Sequence, residues 1–205
     1  WGHTTVDQIV LADRPPLPEL ARLPGHGSMA LSLVAPAGSV VATPDLGDAT
    51  DPLARPDRLA QAGGTDAVRP FPETMGGALG RRLTLAPGAS ETVTFVLTWW
   101  FPGYGDVRGE MNAITDIARL RRHYARRFDG ADAVTRYLVR ELPRLTADTR
   151  RWNRTWYDST LPYWFLDRTF VTVDCLATQT LHAFDNGRWW GWEGVDCCPG
   201  TCQHV

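Results

Sequence analysis

The sequence predicts a two-domain chain, with a β-sandwich part over residues 1–105 and a helical part over 106–205. Three observations carry this. Glu91 to Trp100 (ETVTFVLTWW) alternates with period two and is rich in β-branched and aromatic residues. From Met111 onward, apolar residues recur at helical spacing. Between the two lies Phe101-Pro102-Gly103-Tyr104-Gly105, a Pro-Gly hinge.

Taken in order, Met29 to Val34 (MALSLV) alternates, and Gly38 to Thr43 (GSVVAT) is placed to pair with it across Ala35-Pro36-Ala37. Thr43 to Gly80 is rich in Pro, Gly, Asp and Ala and reads as a long loop. Arg81 to Leu85 (RRLTL) runs into Pro87-Gly88 and then into Glu91–Trp100. That pattern fits a β-hairpin. In the last run Val93, Phe95, Leu97 and Trp99 share one face, and Thr92, Thr94, Thr98 and Trp100 share the other.

The second half begins with a helical stripe of Ile114, Ile117, Ala118, Arg121, Tyr124, Ala125 and Phe128, closed by Asp129-Gly130. A second stripe follows Val134, Tyr137, Leu138, Glu141, Leu142 and Leu145. It continues to Trp152 and Trp156, with a kink expected near Pro143. Ser159-Thr160-Leu161-Pro162 is a start signal, a hydroxyl cap followed by Pro in the first turn. It predicts a third, largely buried helix from about Pro162 to Ala183, with His182 in a structural role. Asp185-Asn186-Gly187 reads as a turn and Arg188 to Glu193 (RWWGWE) as extended chain.

Bulk properties narrow the function. A length of 205 residues suits one large or two small domains. With 43% hydrophobic and 21% charged residues, the chain has the balance of a folded protein. A net charge of −2 gives no electrostatic reason to bind nucleic acid. No apolar run approaches the roughly 20 residues of a membrane helix. Trp1 to Asp7 lacks the basic and apolar regions of a signal peptide, which favours the cytoplasm. The basic residues are all Arg. The nine Trp, most of them after residue 98, suit either a carbohydrate platform or an aromatic core. The chain does not begin with Met, and it stops at Gln203-His204-Val205 beside its most motif-like segment. It is therefore expected to be an internal stretch of a longer protein.

The chemistry concentrates in residues 156–205. Glu193 stands among Trp189, Trp190, Trp192 and Gly194. A carboxylate beside aromatic rings is desolvated on one side, and Gly lets a ligand approach the backbone. Glycosidases hold a nucleophile against a sugar ring in this way; a strand-end Glu paired with Arg188 is the plainer alternative. Cys197, Cys198 and Cys202 with His204 do not match a zinc knuckle, and Cys175 stands apart. Small apolar side chains, a Cys202–His204 nucleophile and a metal site are the alternatives there. No metal is assigned. His204 reads as a contact to a substrate hydroxyl or as an interior histidine. Gly76 to Gly80 lacks the Lys-Ser/Thr of a phosphate loop, no dinucleotide fingerprint appears, and no cofactor is expected.

Three strings in order, STLPYWFLDR (159–168), DNGRWWGWEG (185–194) and CCPGTCQHV (197–205), resemble the start of the catalytic region of glycoside hydrolase family 116. The family includes non-lysosomal glucosylceramidases and bacterial β-glucosidases. The strand ending ETVTFVLTWWFPGYG is similar to the end of the family's N-terminal β-sandwich. The resemblance implies that residues 1–105 are the C-terminal part of that sandwich. Residues 106–205 would then be linker helices and the first helices of an α/α toroid of six hairpins. It also implies retaining hydrolysis of a β-linked glycoside, with Glu193 as nucleophile. Trp190 and Trp192 would lie against the sugar, and His204 would stand where some members have an acidic sugar contact. The acid/base Asp is expected beyond Val205, which would leave these residues inactive alone. The competing reading is a non-catalytic carbohydrate-binding or interaction module.

Overall fold

A computed structural model of the chain describes residues 6–12, 18–34, 39–43, 66–70, 73, 75–104, 120–170, 173 and 181–191. The chain divides into two compact units, one of residues 1–21, 26–100 and 128–140, the other of 22–25, 101–127 and 141–205.

The first unit is built on two antiparallel sheets. Strands β1 (Val6–Ala12), β2 (Ser28–Val34) and β5 (Thr94–Trp100) form one, in the order β1-β2-β5. Strands β3 (Ser39–Thr43) and β4 (Ala78–Arg82) form the other. Leu33 aligns with Phe95, and Leu31 with both Ile9 and Leu97. Leu33 and Leu79 are buried and bring the sheets together, joined by Ile9, Leu31, Val40, Ala42 and Val93. The alternating residues of β2 thus send every second side chain into this layer.

Two expected hairpins are corrected here. MALSLV does not pair with GSVVAT, nor RRLTL with ETVTFVLTWW. Instead β2 pairs with β1 and β5, and β3 pairs with β4. In each expected hairpin the two strands belong to different sheets, because the partner is set by which faces must be covered together and not by nearness in sequence. The long loop expected over 43–80 lies largely outside the described residues. Its last part is strand, since β4 begins at Ala78.

Helix α1 (Ala131–Tyr157) opens against the other face of the three-stranded sheet. Ala131, Thr135 and Val139, spaced by four, are buried there. The Ala131 amide donates to Ser28 Oγ at 2.9 Å, which satisfies one of the unpaired donors of the first helical turn. The hydroxyls of Thr98 and Thr135 lie 2.7 Å apart, and each reaches the Ala131 carbonyl, at 3.0 and 3.1 Å. Ser32 Oγ lies 3.4 Å from Thr135 Oγ1. All four hydroxyl residues are buried. Thr135→Val removes the shared hydroxyl and leaves the fully buried Ser32 without this partner. The expected loss of unfolding free energy is about 1–2 kcal/mol. Adding Ser32→Ala should recover part of it, because both partners are then gone. Denaturant unfolding of the single and double variants measures this, and a neutral single variant would remove the network from the stability account.

The second unit takes α1 from Glu141 onward, with α2 (Tyr163–Phe170). The expected helix through Trp152 and Trp156 is found, and it includes Pro143. Arg144 donates to Glu141 and to Asp148, both at 3.0 Å, which are helix-face spacings. The Trp156 and Phe170 rings meet at a tilt of 43° with centroids 3.9 Å apart, and the Tyr157 hydroxyl donates to Asp167 at 3.3 Å. The helix starts close to where expected, and the Pro162 carbonyl accepts the amides of Phe165 and Leu166. Pro162 stands just before the first helical residue, and Ser159 Oγ accepts the Leu161 amide at 3.1 Å, ahead of the helix.

The third helix is shorter than expected. It ends at Phe170, and Leu181–Ala183 is a strand, so His182 is not helical. Residues 171, 172 and 174–180, between the helix and the strand, lie outside the described residues. The stripe expected over 114–128 is also revised. Residues 105–119 lie outside the described residues, Arg121 and Arg122 make β-bridges, and His123–Arg126 is one 3-10 turn.

Candidate functional site

The described part of the motif-bearing segment is a β-hairpin. Strands β6 (Leu181–Ala183) and β7 (Trp189–Gly191) align Leu181 with Gly191, His182 with Trp190 and Ala183 with Trp189. The turn between them is the one read from Asp185-Asn186-Gly187. Gly187 has φ of 84°, a left-handed conformation that suits glycine. The Phe184 amide donates to the Arg188 carbonyl at 2.9 Å, and the Gly187 amide to the Phe184 carbonyl at 3.0 Å. Asn186 Oδ1 accepts the Arg188 amide at 3.0 Å, a side chain holding the backbone just beyond it.

The turn is tied to two other segments of the same unit. Arg122 bridges Phe184, and the Asp185 amide donates to the Arg121 carbonyl at 2.8 Å. Arg126 Nη1 donates to the Asp185 carbonyl at 3.1 Å. On its other side the same strip meets the hinge: Gly103 bridges Arg121, and the Arg122 amide donates to the Pro102 carbonyl at 2.9 Å. The Phe101 amide donates to the Tyr124 hydroxyl at 2.6 Å. Phe184 is completely buried. Its ring and that of His182 both meet Tyr104 edge-on, with centroids 5.2 and 4.8 Å away.

Of the residues expected to act on a sugar, Trp190 is placed by its backbone on β7, opposite His182. Trp192, Glu193 and His204 lie outside the described residues, as do Cys175, Cys197, Cys198 and Cys202. The expected extended chain from Arg188 is strand through Gly191. Among the described residues, no three His, Cys, Asp or Glu are grouped to hold a metal.

The matching family is decided by the first half of the chain. The family model described as beta-glucosidase 2, glycosyl-hydrolase family 116 N-term, matches residues 30–145. The chain belongs to glycoside hydrolase family 116. The match takes in most of β2, all of β3, β4 and β5, and α1 as far as residue 145, so these strands lie within the family's N-terminal domain, while β1 precedes the matched residues. No curated protein and no solved structure matches this family-116 chain. Among its described residues no helix is long and apolar enough to cross a membrane.

Sequence reasoning missed the way the hairpin is held. Tyr104 read as hinge, Arg121 and Tyr124 as helix, and His182 as helix. The available signal was local: Leu181 to Trp190 (LHAFDNGRWW) has apolar arms on either side of an Asn-Gly turn, which is a hairpin pattern.

Proposed function

We propose that the protein carrying this chain is a retaining β-glycosidase with Glu193 as its nucleophile. The match of residues 30–145 to the family-116 N-terminal domain carries this reading. Residues 1–105 then belong to the sandwich domain, and 106–205 supply linker helices and the first helices of an α/α toroid. The Glu193 carboxylate attacks the anomeric carbon as the glycosidic bond breaks, and the leaving oxygen takes a proton from an aspartic acid. That carboxyl, assigned to later toroid hairpins, lies about 5 Å from Glu193. The resulting aspartate then takes a proton from water, whose oxygen attacks the same carbon and displaces Glu193. Trp190 and Trp192 lie against the sugar face, and His204 holds a hydroxyl. Only one of the two carboxyls is assigned within residues 1–205, so these residues alone are expected to turn over no substrate.

A binding module is the second reading, and exposed rings favour it. Tyr163 is 69% and Trp164 70% accessible. One experiment separates the two. Hydrolysis of an aryl β-glucoside by the full-length protein, followed by proton NMR, should show the β-anomer of the sugar first. The α-anomer first would mean inversion and remove Glu193 as nucleophile. Binding without release of sugar would favour the module.

A further inference from the structure

The three-stranded sheet is wider than the sheet that covers it. On its β2–β5 half, Leu33 aligns with Phe95, Leu31 with Leu97 and Met29 with Trp99. Opposite residues of an antiparallel pair share a face, so these six apolar side chains stand on one side. It is the side packed by the second sheet, since Leu33 and Leu31 belong to the cluster with Leu79, Val40 and Ala42. The covering strand β4 lies against β2 and β1. Over β5 the cover stops: Phe95, Leu97 and Trp99 are 48%, 55% and 55% accessible. Helix α1 is no cover for them, because it packs on the opposite face through Thr98.

The chemistry of the strip selects its occupant. Apart from the Trp99 indole and the weakly accepting Met29 sulfur, none of the six side chains can form a hydrogen bond, so a sugar is poorly matched. The strip is continuous with the buried interface between the two sheets. A layer of that kind, about 10 Å thick, is filled from its far side by strands of the covering sheet. From Thr94 to Trp100 there is neither a charge nor a Pro, and β2 is the one neighbour of β5 among the described strands. Folded proteins guard such apolar edge strands. The alternating runs within residues 1–105 are already used in β1 to β5. We infer that a further β-strand of the same polypeptide, from outside residues 1–205, extends the β3–β4 sheet over β5 and buries Phe95, Leu97 and Trp99. Its inward side chains are apolar, and it completes the layer that Leu33 and Leu79 begin. The inference does not depend on the nucleophile assignment.

The test uses the full-length protein. Leu97→Cys is alkylated with a small thiol reagent, and the modified peptide is followed by mass spectrometry. Labelling is expected to be at least about 100-fold slower in the native protein than in denaturant, at every protein concentration. Trp99→Cys gives the same readout if the first variant does not fold. A benzophenone amino acid in place of Phe95 then identifies the cover. On irradiation it should crosslink within one chain, to a peptide outside residues 1–205 whose apolar residues alternate. The inference is overturned by native labelling within about tenfold of the denatured rate, since the strip is then solvent-exposed. Protection that is lost on dilution, or a crosslinked dimer, would make the occupant a second copy and overturn it. So would protection that appears only when a β-glucan is added, which would make the strip a sugar platform. Any other crosslink pattern, including none or one to a peptide within residues 1–205, overturns it as well.

Discussion

Glu193→Gln in the full-length enzyme is expected to lower kcat by roughly 10,000-fold or more, the scale on which a covalent nucleophile is missed. The amide preserves the shape of the side chain and most of its hydrogen bonding. It lacks the negative charge and the lone-pair basicity needed to form the glycosyl ester. Substrate affinity should therefore change little, and the loss should fall on the chemical step. Glu193→Asp keeps the charge but withdraws it by about one methylene. On the same positional sensitivity it should retain a small fraction of activity, about 100-fold below wild type. Steady-state kinetics with an aryl β-glucoside, beside a direct binding measurement with a non-hydrolysed thioglycoside, separates the two effects. A glutamine variant within about tenfold of wild-type kcat would transfer the nucleophile's role elsewhere. In that case a paired strand-end glutamate becomes the better account of this residue.

Leu33→Ala is expected to be the most damaging single truncation in the sandwich, at about 3 kcal/mol. Leu33 is fully buried where the two sheets meet, and its neighbours come from β1, β3, β4 and the approach to β5. Removing its branched end forfeits the transfer energy of the lost carbons. It also leaves a cavity that two hydrogen-bonded sheets cannot close without breaking register. The shift should appear as a lower denaturant midpoint at unchanged slope. Leu85→Ala, at a position 53% accessible, provides the contrast and should stay within about 0.5 kcal/mol. Equal effects at the two positions would mean that Leu33 is not part of the cooperative core.

Local pattern in the sequence told more about which elements form than about what they pair with. The alternation in ETVTFVLTWW marked a strand, and β5 is one. Yet its more apolar face, Phe95, Leu97 and Trp99, is about half exposed, while Val96 and Thr98 are buried. Periodicity sorts residues into faces. It does not say which face a helix will cover, and here α1 covers the one bearing Thr98. The same limit explains the mistaken hairpins, since β2 and β3, though consecutive in sequence, belong to different sheets. The stripe of Val134, Tyr137, Leu138 and Glu141 was legible because a helix satisfies its own backbone and needs no distant partner to be recognised. Glu193 among its tryptophans was legible only as a string, and it lies outside the described residues. The contacts that hold the β6–β7 hairpin were not legible, because Tyr104, Arg121 and Asp185 are far apart in sequence and come together only in the fold.

The central position of β2 has a consequence for the order of events during synthesis. Ser28 aligns with Ala12 on one side and with Trp100 on the other. The first partner is already present when β2 leaves the ribosome, whereas the second is made some seventy residues later. The cost of closing so large a loop grows only with the logarithm of its length, but the wait is set by the rate of elongation. Until β5 arrives, β2 has an open hydrogen-bonding edge and Leu33 has lost part of its cover. A nascent chain paused before Thr94 therefore presents a sticky strand, and its protection by chaperones or its loss to aggregation would be decided in that interval.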